Sequence, residues 1–409
     1  MLLLESFVHR DRLAGIIGRW MVDRPRPGDV ADLKRIVNFN LYISRIWGDH
    51  LANYLLRELY SGVAPRWNSI RTKGQLKDFA VEHLTLTNPR VEEMCARYRR
   101  FPEDFYREAP IDGGFYSVMA GDAPRLVGSL RIKRFRRIAE KGARRIIDFM
   151  LQRIRASADA LADERARAIG VQRAQLTTPP EVMHEEFLHA ERRVIKSIKQ
   201  GSIHSELPVL SIPDVVGMKL IEEDQAFPRL LEALERNGDC QVVELERHTG
   251  QYNAVNVQVH YTLPKALLLA NPPSGRYLEV LRFRGLDADE VPRLYQEFLE
   301  LAEPTACVEI IVTTFQEFLE SEIGRGMHEE RVLQQRAHPD YRGHLSTNVR
   351  YLLDFILGLC RSPWRGELDE VPVKLWVHYM PDTYEQIVRR LYLADELFFD
   401  KLEDDPIER

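Results

Sequence analysis

The 409-residue chain has few cysteines and no long apolar run. Cys95, Cys240, Cys307 and Cys360 are scattered without a close pair, which argues against a disulfide framework or a thiolate zinc knuckle. The opening MLLLESF has only three leucines before Glu5, too few for a signal peptide. No stretch approaches the roughly 18 apolar residues of a membrane span. We therefore expect a protein of a reducing compartment, by default the cytoplasm, with no membrane partner.

Several familiar catalytic motifs are also missing. No glycine-rich loop of the P-loop type occurs, and no GxGxxG follows a predicted strand. The segment HEEFLH places His184 and His189 about 140° apart around a helix, so they do not form the zinc pair that a spacing of four would give. DYRGHLS holds no nucleophile elbow. Any chemistry must therefore come from residues that are distant in sequence.

The composition is that of an ordinary globular protein, with 44% hydrophobic and 29% charged residues. The length allows two or three domains with a substantial core. The formal net charge of −5 means that the surface as a whole does not attract nucleic acid. Binding of a polyanion therefore requires a local basic patch.

Apolar periodicity predicts an α+β fold in three parts. These are a helical N-terminal region at 1–120, a mixed-sheet domain at 121–335 with a helical-hairpin insertion at about 145–205, and an α/β extension at 336–409. Residues 1 to about 115 show helical spacing throughout. Predicted strands in the remainder include VVGMKLI, CQVVELERH, YNAVNVQVHY, GRYLEVLRFRG, CVEIIVTT and VKLWVHY.

Two acidic residues lie where acids are unusual. Asp214 stands between Pro213 and the buried strand VVGMKLI, and Glu309 is flanked by Val308 and Ile310 in a run with no other charge. A carboxylate inside or at the head of a buried strand needs a cation, a base or a cap. Asp214 could equally be a turn residue, and Glu309 could lie on an edge strand or at the surface.

Cations and an aromatic ring accompany these acids. Arg131, Lys133 and Lys141 span a predicted strand-to-helix junction, where phosphates are favoured by the helix N-terminus. The basic stretch 131–155 could also be a solvated face, a contact for acidic helices or a contact for RNA backbone. Tyr252 lies on the polar side of an alternating strand, where it could stack on a base or pack half-exposed.

Taken in order along the chain, these stretches resemble the RelA/SpoT-type alarmone synthetase domain. Its Arg-x-Lys motif, with a further lysine ten residues after the arginine, is matched by Arg131, Lys133 and Lys141. Its aspartate at the head of an apolar strand resembles Asp214, and its Glu-Ile-Gln-Ile-Arg-Thr resembles the segment that begins at Glu309. The other corresponding positions are Gly217 and Lys219, Gly250 with Tyr252, Asn256 where the family has histidine, and Gly324–Arg325 where it has Glu-His.

The resemblance implies a nucleotidyltransferase-like core and an ATP-dependent pyrophosphokinase. Such an enzyme transfers pyrophosphate from ATP to the 3′-hydroxyl of GDP or GTP, or here to a related acceptor. Asp214 and Glu309 would bind Mg²⁺, and Glu309 would also help to deprotonate the attacking hydroxyl. Tyr252 would stack on the acceptor guanine. The nucleotide-binding residues that the resemblance implies are Arg131, Lys133, Lys141, Lys219, Tyr252 and Asn256.

Other functions stay open at this point. The chain could be a catalytically inactive nucleotide- or RNA-binding regulatory module of the same fold, with the basic helix 131–155 as its contact surface. It could also be a self-associating regulatory protein whose helical ends make the contacts, so an oligomer is an open expectation.

Overall fold

A computed structural model of the chain describes residues 2–201, 209–222, 227–250, 253–324, 344–380 and 384–394. It is a mixed α+β protein, as the sequence predicts. The strands are β1 (Leu2–Leu4), β2 (Arg66–Thr72), β3 (Pro110–Ala120), β4 (Ala123–Ile132), β5 (Leu210–Ile212), β6 (Val216–Ile221), β7 (Cys240–His248), β8 (Ala254–Thr262) and β9 (Thr305–Thr313). The helices are α1 (Arg10–Met21), α2 (Asp29–Leu59), α3 (Lys73–Glu82), α4 (Pro89–Arg100), α5 (Phe135–Ala168), α6 (Pro180–Lys199), α7 (Phe227–Arg236), α8 (Lys265–Ala270), α9 (Gly275–Phe283), α10 (Val291–Glu300), α11 (Phe315–Ile323) and α12 (His344–Arg361). Residues 384–394 are also helical.

Seven strands form one mixed sheet in the order β2-β3-β4-β6-β9-β8-β7. β6 and β9 are parallel neighbours, and the other pairs in this sheet are antiparallel. β1 and β5 form a separate parallel pair. The mixed sheet therefore has the parallel pair β6–β9 at its centre.

The two faces of this sheet differ in chemistry because side chains alternate along each strand. On one face, apolar residues of β6, β8 and β9 pack against the 31-residue helix α2, whose Trp47 is fully buried and lies 6.0 Å from Tyr261 between ring centroids. The opposite face carries polar and charged side chains at the centre. Helices α3, α4 and α11 cover part of that second face with apolar residues such as Phe318.

A second core lies beyond the sheet. It joins α1, the first half of α2, α5, α6 and α12. The buried stripe of α5 includes Phe135, Ile138, Ile146, Met150 and Ile154, which is the apolar face that the sequence predicts. α5 and α6 are consecutive helices that pack against each other, while the predicted insertion at about 145–205 stays a prediction.

The N-terminal segment is built into the structure next to β9. The Glu5 N–H donates to the Ile212 carbonyl at 3.1 Å, and the Glu5 carbonyl accepts from the Cys307 N–H at 3.0 Å. The Ser6 hydroxyl bridges the Pro213 carbonyl and the Val216 N–H at 3.0 and 3.1 Å. The N-terminal segment therefore hydrogen-bonds to the part of β9 that precedes its pairing with β6.

Three secondary-structure predictions are wrong. Residues 1–115 are not helical throughout, because they also contain β1, β2 and the start of β3. GRYLEVLRFRG forms the helix α9 instead of a strand. Its apolar residues Tyr277, Val280 and Leu281 recur at three and four, and the Tyr277 hydroxyl donates to the Asn38 carbonyl of α2 at 2.9 Å.

VKLWVHY is likewise not a strand. The Asn348 amide of α12 donates to the carbonyls of Lys374, Leu375 and Val377 at 3.2, 3.0 and 2.6 Å. Three backbone carbonyls of this segment accept hydrogen bonds from one side chain. The segment is therefore bent around Asn348 and does not form the hydrogen bonds of a β-strand.

The predicted domain boundaries at 120 and 335 stay predictions, although β3 and β4, which flank residue 120, are adjacent in one sheet. Among the described helices, none combines the length and apolar character that crossing a bilayer requires.

Candidate functional site

One row of paired residues crosses the polar face of the sheet. In the centre, Arg131 of β4 lies opposite Gly217 of β6, which lies opposite Glu309 of β9. Since glycine has no side chain, Arg131 and Glu309 border a gap. A Cβ placed on Gly217 would lie 3.9 Å from Glu309 Oε2. The row continues on β8 and β7 through Gln258 and Glu244.

Asp214 lies beside this gap, in the turn that leads into β6. Its Oδ2 accepts from Lys133 Nζ and from Lys141 Nζ, each at 2.5 Å. Lys133 follows β4 directly, and its N–H donates to the Val215 carbonyl at 2.7 Å, which fixes it next to the turn. Lys141 reaches the same oxygen from the second turn of α5. The Arg-x-Lys…Lys spacing therefore places two ammonium groups on one carboxylate.

The electrostatics of Asp214 follow from these contacts. Burial would raise the pKa of its carboxyl, but Lys133 and Lys141 outweigh burial and lower it. Its Oδ1 is buried and has no hydrogen-bond partner in the described part of the chain. A buried acceptor without a partner is uncommon and costs free energy, so Oδ1 has acceptor capacity that the described residues leave unused.

Glu309 has the opposite character. Burial, and then the charge of Asp214, raise the pKa of its carboxyl, while Lys133, Lys141 and Arg131 oppose the shift. The Glu309 side chain makes no hydrogen bond or ion pair with the residues that the structure describes. The two carboxylates are therefore close enough to repel each other, and only one of them is neutralised by lysines.

Lys219 lies one step further along β6 and is engaged with α11. Its Nζ lies 3.0 Å from Glu322 Oε1, and both side chains are less than a tenth exposed. Burial would raise the pKa of Glu322, but Lys219, followed by Arg131, Lys73 and Lys77, holds it well below its usual range. Burial lowers the pKa of Lys219, although Glu322 opposes this.

The remaining predicted residues lie on β8 and next to it. Asn256 pairs with Ile311 and shares the face of Gln258 and Glu309. Its Oδ1 is buried without a hydrogen-bond partner among the described residues. Tyr252 lies outside the described residues, so its predicted stacking role stays a prediction.

The structure thus brings Arg131, Lys133, Lys141, Asp214 and Glu309 together on one face. Lys219 is on the same face under α11, and Asn256 is two residues along β8 from the central row. Asp214 Oδ1, which has no hydrogen-bond partner among the described residues, and the Glu309 carboxylate, which feels the charge of Asp214, form a set of hard oxygen donors that fits a cation such as Mg²⁺.

Glu322 and the N-terminal segment were not predicted to matter at this site. A signal for Glu322 exists in the sequence, because it falls on the buried stripe of α11 with Phe315, Phe318 and Leu319. A charge on an apolar helical stripe requires a buried partner. No comparable signal marks Ser6, since its hydrogen bonds to Pro213 and Val216 depend on tertiary structure.

A large cavity lies away from the paired carboxylates. Its volume is about 1330 Å³, and its lining does not include Asp214 or Glu309. It lies between α2 and the strands β2 to β4, and five arginines contribute to its wall: Arg45, Arg57, Arg71, Arg276 and Arg361. One of these, Arg45, is paired with Asp112 at 2.8 Å.

The site therefore belongs to a mixed-sheet α+β protein with two carboxylates among several cations. No protein-family model matches the chain, and no curated protein matches it either. Among solved structures, the small alarmone synthetase 1 from Bacillus subtilis is similar at 13% identity and a TM-score of 0.19, over 51% of this chain and 89% of that one. So low a score does not support a functional assignment, which depends on the site itself.

Proposed function

We propose that the polar face of the sheet transfers pyrophosphate from ATP to a hydroxyl of an acceptor nucleotide. The acceptor implied by the family resemblance is the 3′-hydroxyl of GDP, which would yield ppGpp, or of GTP, which would yield pppGpp. A related acceptor is the alternative. The observation that carries the proposal is the cluster of Asp214 and Glu309 with Arg131, Lys133 and Lys141 around the gap at Gly217.

The cations suit the binding of phosphates. Arg131 borders the gap, while Lys133 and Lys141 share a single oxygen of Asp214. Phosphate oxygens can compete with Asp214 for these ammonium protons, since both are charged acceptors. Three fixed cations can thus align a polyphosphate without large rearrangement, and alignment supplies much of the catalysis in phosphoryl transfer.

The acids have different roles in the proposal. Asp214 Oδ1 and Glu309 would hold Mg²⁺, which when bound neutralises charge on the phosphate oxygens. Glu309, with its raised pKa, is also the better proton acceptor of the two. It would hydrogen-bond the attacking hydroxyl and take its proton. Asp214, held ionised by two lysines, would remain charged throughout.

Three further residues complete the proposed nucleotide contacts. Tyr252 would stack on the acceptor base and Asn256 would offer its unpartnered Oδ1. The ammonium group of Lys219 is already paired with Glu322. Lys219 would therefore have two roles, to hold β6 against α11 and to attract phosphate.

The test is incubation of the purified chain with labelled ATP, Mg²⁺ and GDP, GTP, ADP or tRNA, with AMP release as the readout. We expect AMP with at least one acceptor and none after Asp214→Asn or Glu309→Gln. Glu244→Gln is the control, because Glu244 is an exposed glutamate two strands from Glu309. Full turnover in either acid variant would remove that residue from the mechanism.

A second candidate function is a non-catalytic module that binds nucleotide or RNA. It is favoured by the neutralisation of Asp214 by two lysines and by the exposed Arg144, Arg145, Arg153 and Arg155 on α5. It requires binding that weakens steeply with salt and survives Glu309→Gln without AMP release. Binding that is lost in Glu309→Gln would argue against it.

A further inference from the structure

Three residues with different metal-binding atoms converge beside the proposed site. Ligand atoms of Glu5, His260 and Cys307 all lie within 4.8 Å of one another. The sheet explains why: Cys307 of β9 is directly opposite His260 of β8. On its other side, the Cys307 N–H bonds to the Glu5 carbonyl. Glu5, Cys307 and His260 therefore form a short cross-strand row.

We propose that Glu5, His260 and Cys307 form a binding site for a borderline transition-metal ion, with Zn²⁺ as the preferred ion. Sulfur, imidazole nitrogen and a carboxylate oxygen are the donors that Zn²⁺ accepts, whereas Mg²⁺ prefers oxygen alone. Zn–ligand bonds of about 2.0–2.3 Å place tetrahedral ligand atoms roughly 3.3–3.8 Å apart. Side-chain adjustments on the order of 1 Å would close the observed cluster around such an ion.

The surroundings hold the ligands in place. The Ser211 hydroxyl donates to Glu5 Oε1, which orients the carboxylate. The Arg10 guanidinium donates to the carbonyls of Glu5 and Thr305 at 3.1 and 3.3 Å and so ties the N-terminal segment to β9. Within the described residues, the His260 ring carries no hydrogen bond. The Glu5 carboxylate thus has the kind of supporting hydrogen bond that metal ligands in proteins show, while the His260 ring has both nitrogens available for an ion and for solvent.

The two proposed metal sites are distinct. Glu309 lies two residues beyond Cys307 on the same face of β9, but Asp214 and Glu309 offer oxygens alone. With three protein ligands, the new site would leave one tetrahedral position open, as in zinc sites that bind a water or a small ligand. The inference does not depend on pyrophosphate transfer.

The experiment uses the full chain, reduced and stripped with a chelator, and titrated with Zn²⁺ against a chromophoric zinc chelator without nucleotide. We expect one Zn²⁺ per chain, and a loss of affinity of about tenfold or more for Glu5→Gln, His260→Asn and Cys307→Ser. Cys240→Ser is the matched control, since Cys240 lies in the same sheet on β7. It should bind as the wild type does.

Co²⁺ provides a second readout, because thiolate-to-cobalt charge-transfer absorption should appear in the wild type and vanish in Cys307→Ser. Glu5 and His260 are only half-buried, so their variants keep the test valid if Cys307→Ser does not fold. Asp214→Asn should retain Zn²⁺ binding, which separates this site from the proposed active site. Wild-type affinity in both Glu5→Gln and His260→Asn, or less than half an equivalent of Zn²⁺ bound, would overturn the inference.

Discussion

At the scale of single residues, removing the charge of Asp214 should lower the stability of the protein, whereas removing the charge of Glu309 should not. Asp214→Asn leaves Lys133 and Lys141 without their common partner, so we expect a loss of about 1–3 kcal/mol in the free energy of unfolding. Glu309→Gln removes a carboxylate whose pKa is raised by burial and by Asp214, so stability should be unchanged or higher at pH 7. Urea denaturation of both variants measures this, and a Glu309→Gln protein as unstable as Asp214→Asn would contradict it.

The pair of Lys219 and Glu322 makes stability depend on pH. Because the folded pKa of Glu322 is depressed, its contribution is complete above the unfolded pKa of about 4.3 and is lost as pH falls toward the folded value. Glu322→Gln should cost about 3–5 kcal/mol at pH 7, since it strands a buried ammonium. Unfolding curves at pH 7 and at acidic pH measure both effects.

Replacement of both partners, Lys219→Met with Glu322→Met, is the control for that prediction. It removes the charges together and should cost less than Glu322→Gln alone. A double variant that is the less stable of the two would show that the pair itself, and not the stranded charge, sets the cost.

At the scale of elements, Gly217 determines the width of the gap on β6. Gly217→Ala should change stability by no more than about 1 kcal/mol, because the new Cβ meets Glu309 at an ordinary 3.9 Å. Gly217→Val also suits a strand, but its methyl groups would fill the space between Arg131 and Glu309. We expect a folded protein with turnover reduced about tenfold or more, measured by AMP release and thermal unfolding.

Gly128→Ala on β4 is the comparison. Its Cβ would lie 2.7 Å from the Lys219 carbonyl, so it should destabilise the sheet by about 1–3 kcal/mol. Full activity in the Gly217→Val protein would show that the space between Arg131 and Glu309 is not needed for turnover.

Sequence patterns predicted the elements around this gap but not all of the others. β6 and β9 are dense apolar runs, and β8 alternates clearly, so their existence and faces follow from periodicity. The segment 373–379 has the same strand-like pattern and still forms none, because Asn348 takes its carbonyls. Tertiary hydrogen bonds of this kind leave no local signal.

The residues of the candidate site could be predicted from local sequence, but their arrangement could not. Asp214 and Glu309 interrupt apolar strands, and that local anomaly marks them. Their proximity to each other depends on β6 and β9 being adjacent and in register, which no short pattern specifies. The role of Glu5 at the row with Cys307 was likewise invisible, since it lies in an ordinary-looking leucine-rich start.

At the scale of the whole molecule, the N-terminal segment connects the helical core to the sheet. Phe7 is fully buried in the core that contains α1, α5 and α12, and its neighbour Ser6 holds the turn at Asp214. Phe7→Ala should therefore cost about 3–5 kcal/mol and lower turnover as well. Urea unfolding and AMP release measure the two effects.

Phe101→Ala is the matched control, because Phe101 is 42% exposed. It should change stability by less than about 0.5 kcal/mol. Equal losses of stability in Phe7→Ala and Phe101→Ala would show that the N-terminal segment does not stabilise the protein more than an exposed residue does.

The bond between Glu5 and Cys307 has a consequence for the order of synthesis. After Glu5 is synthesised, about 300 more residues must follow before β9 exists to receive it, which takes roughly 15–60 s at translation rates of about 5–20 residues per second. In the first part of that interval, until β5 has been synthesised, the leucines of β1 also lack their strand partner. The polar face of the sheet, which needs both β6 and β9, can therefore be assembled only after residue 313 has been synthesised.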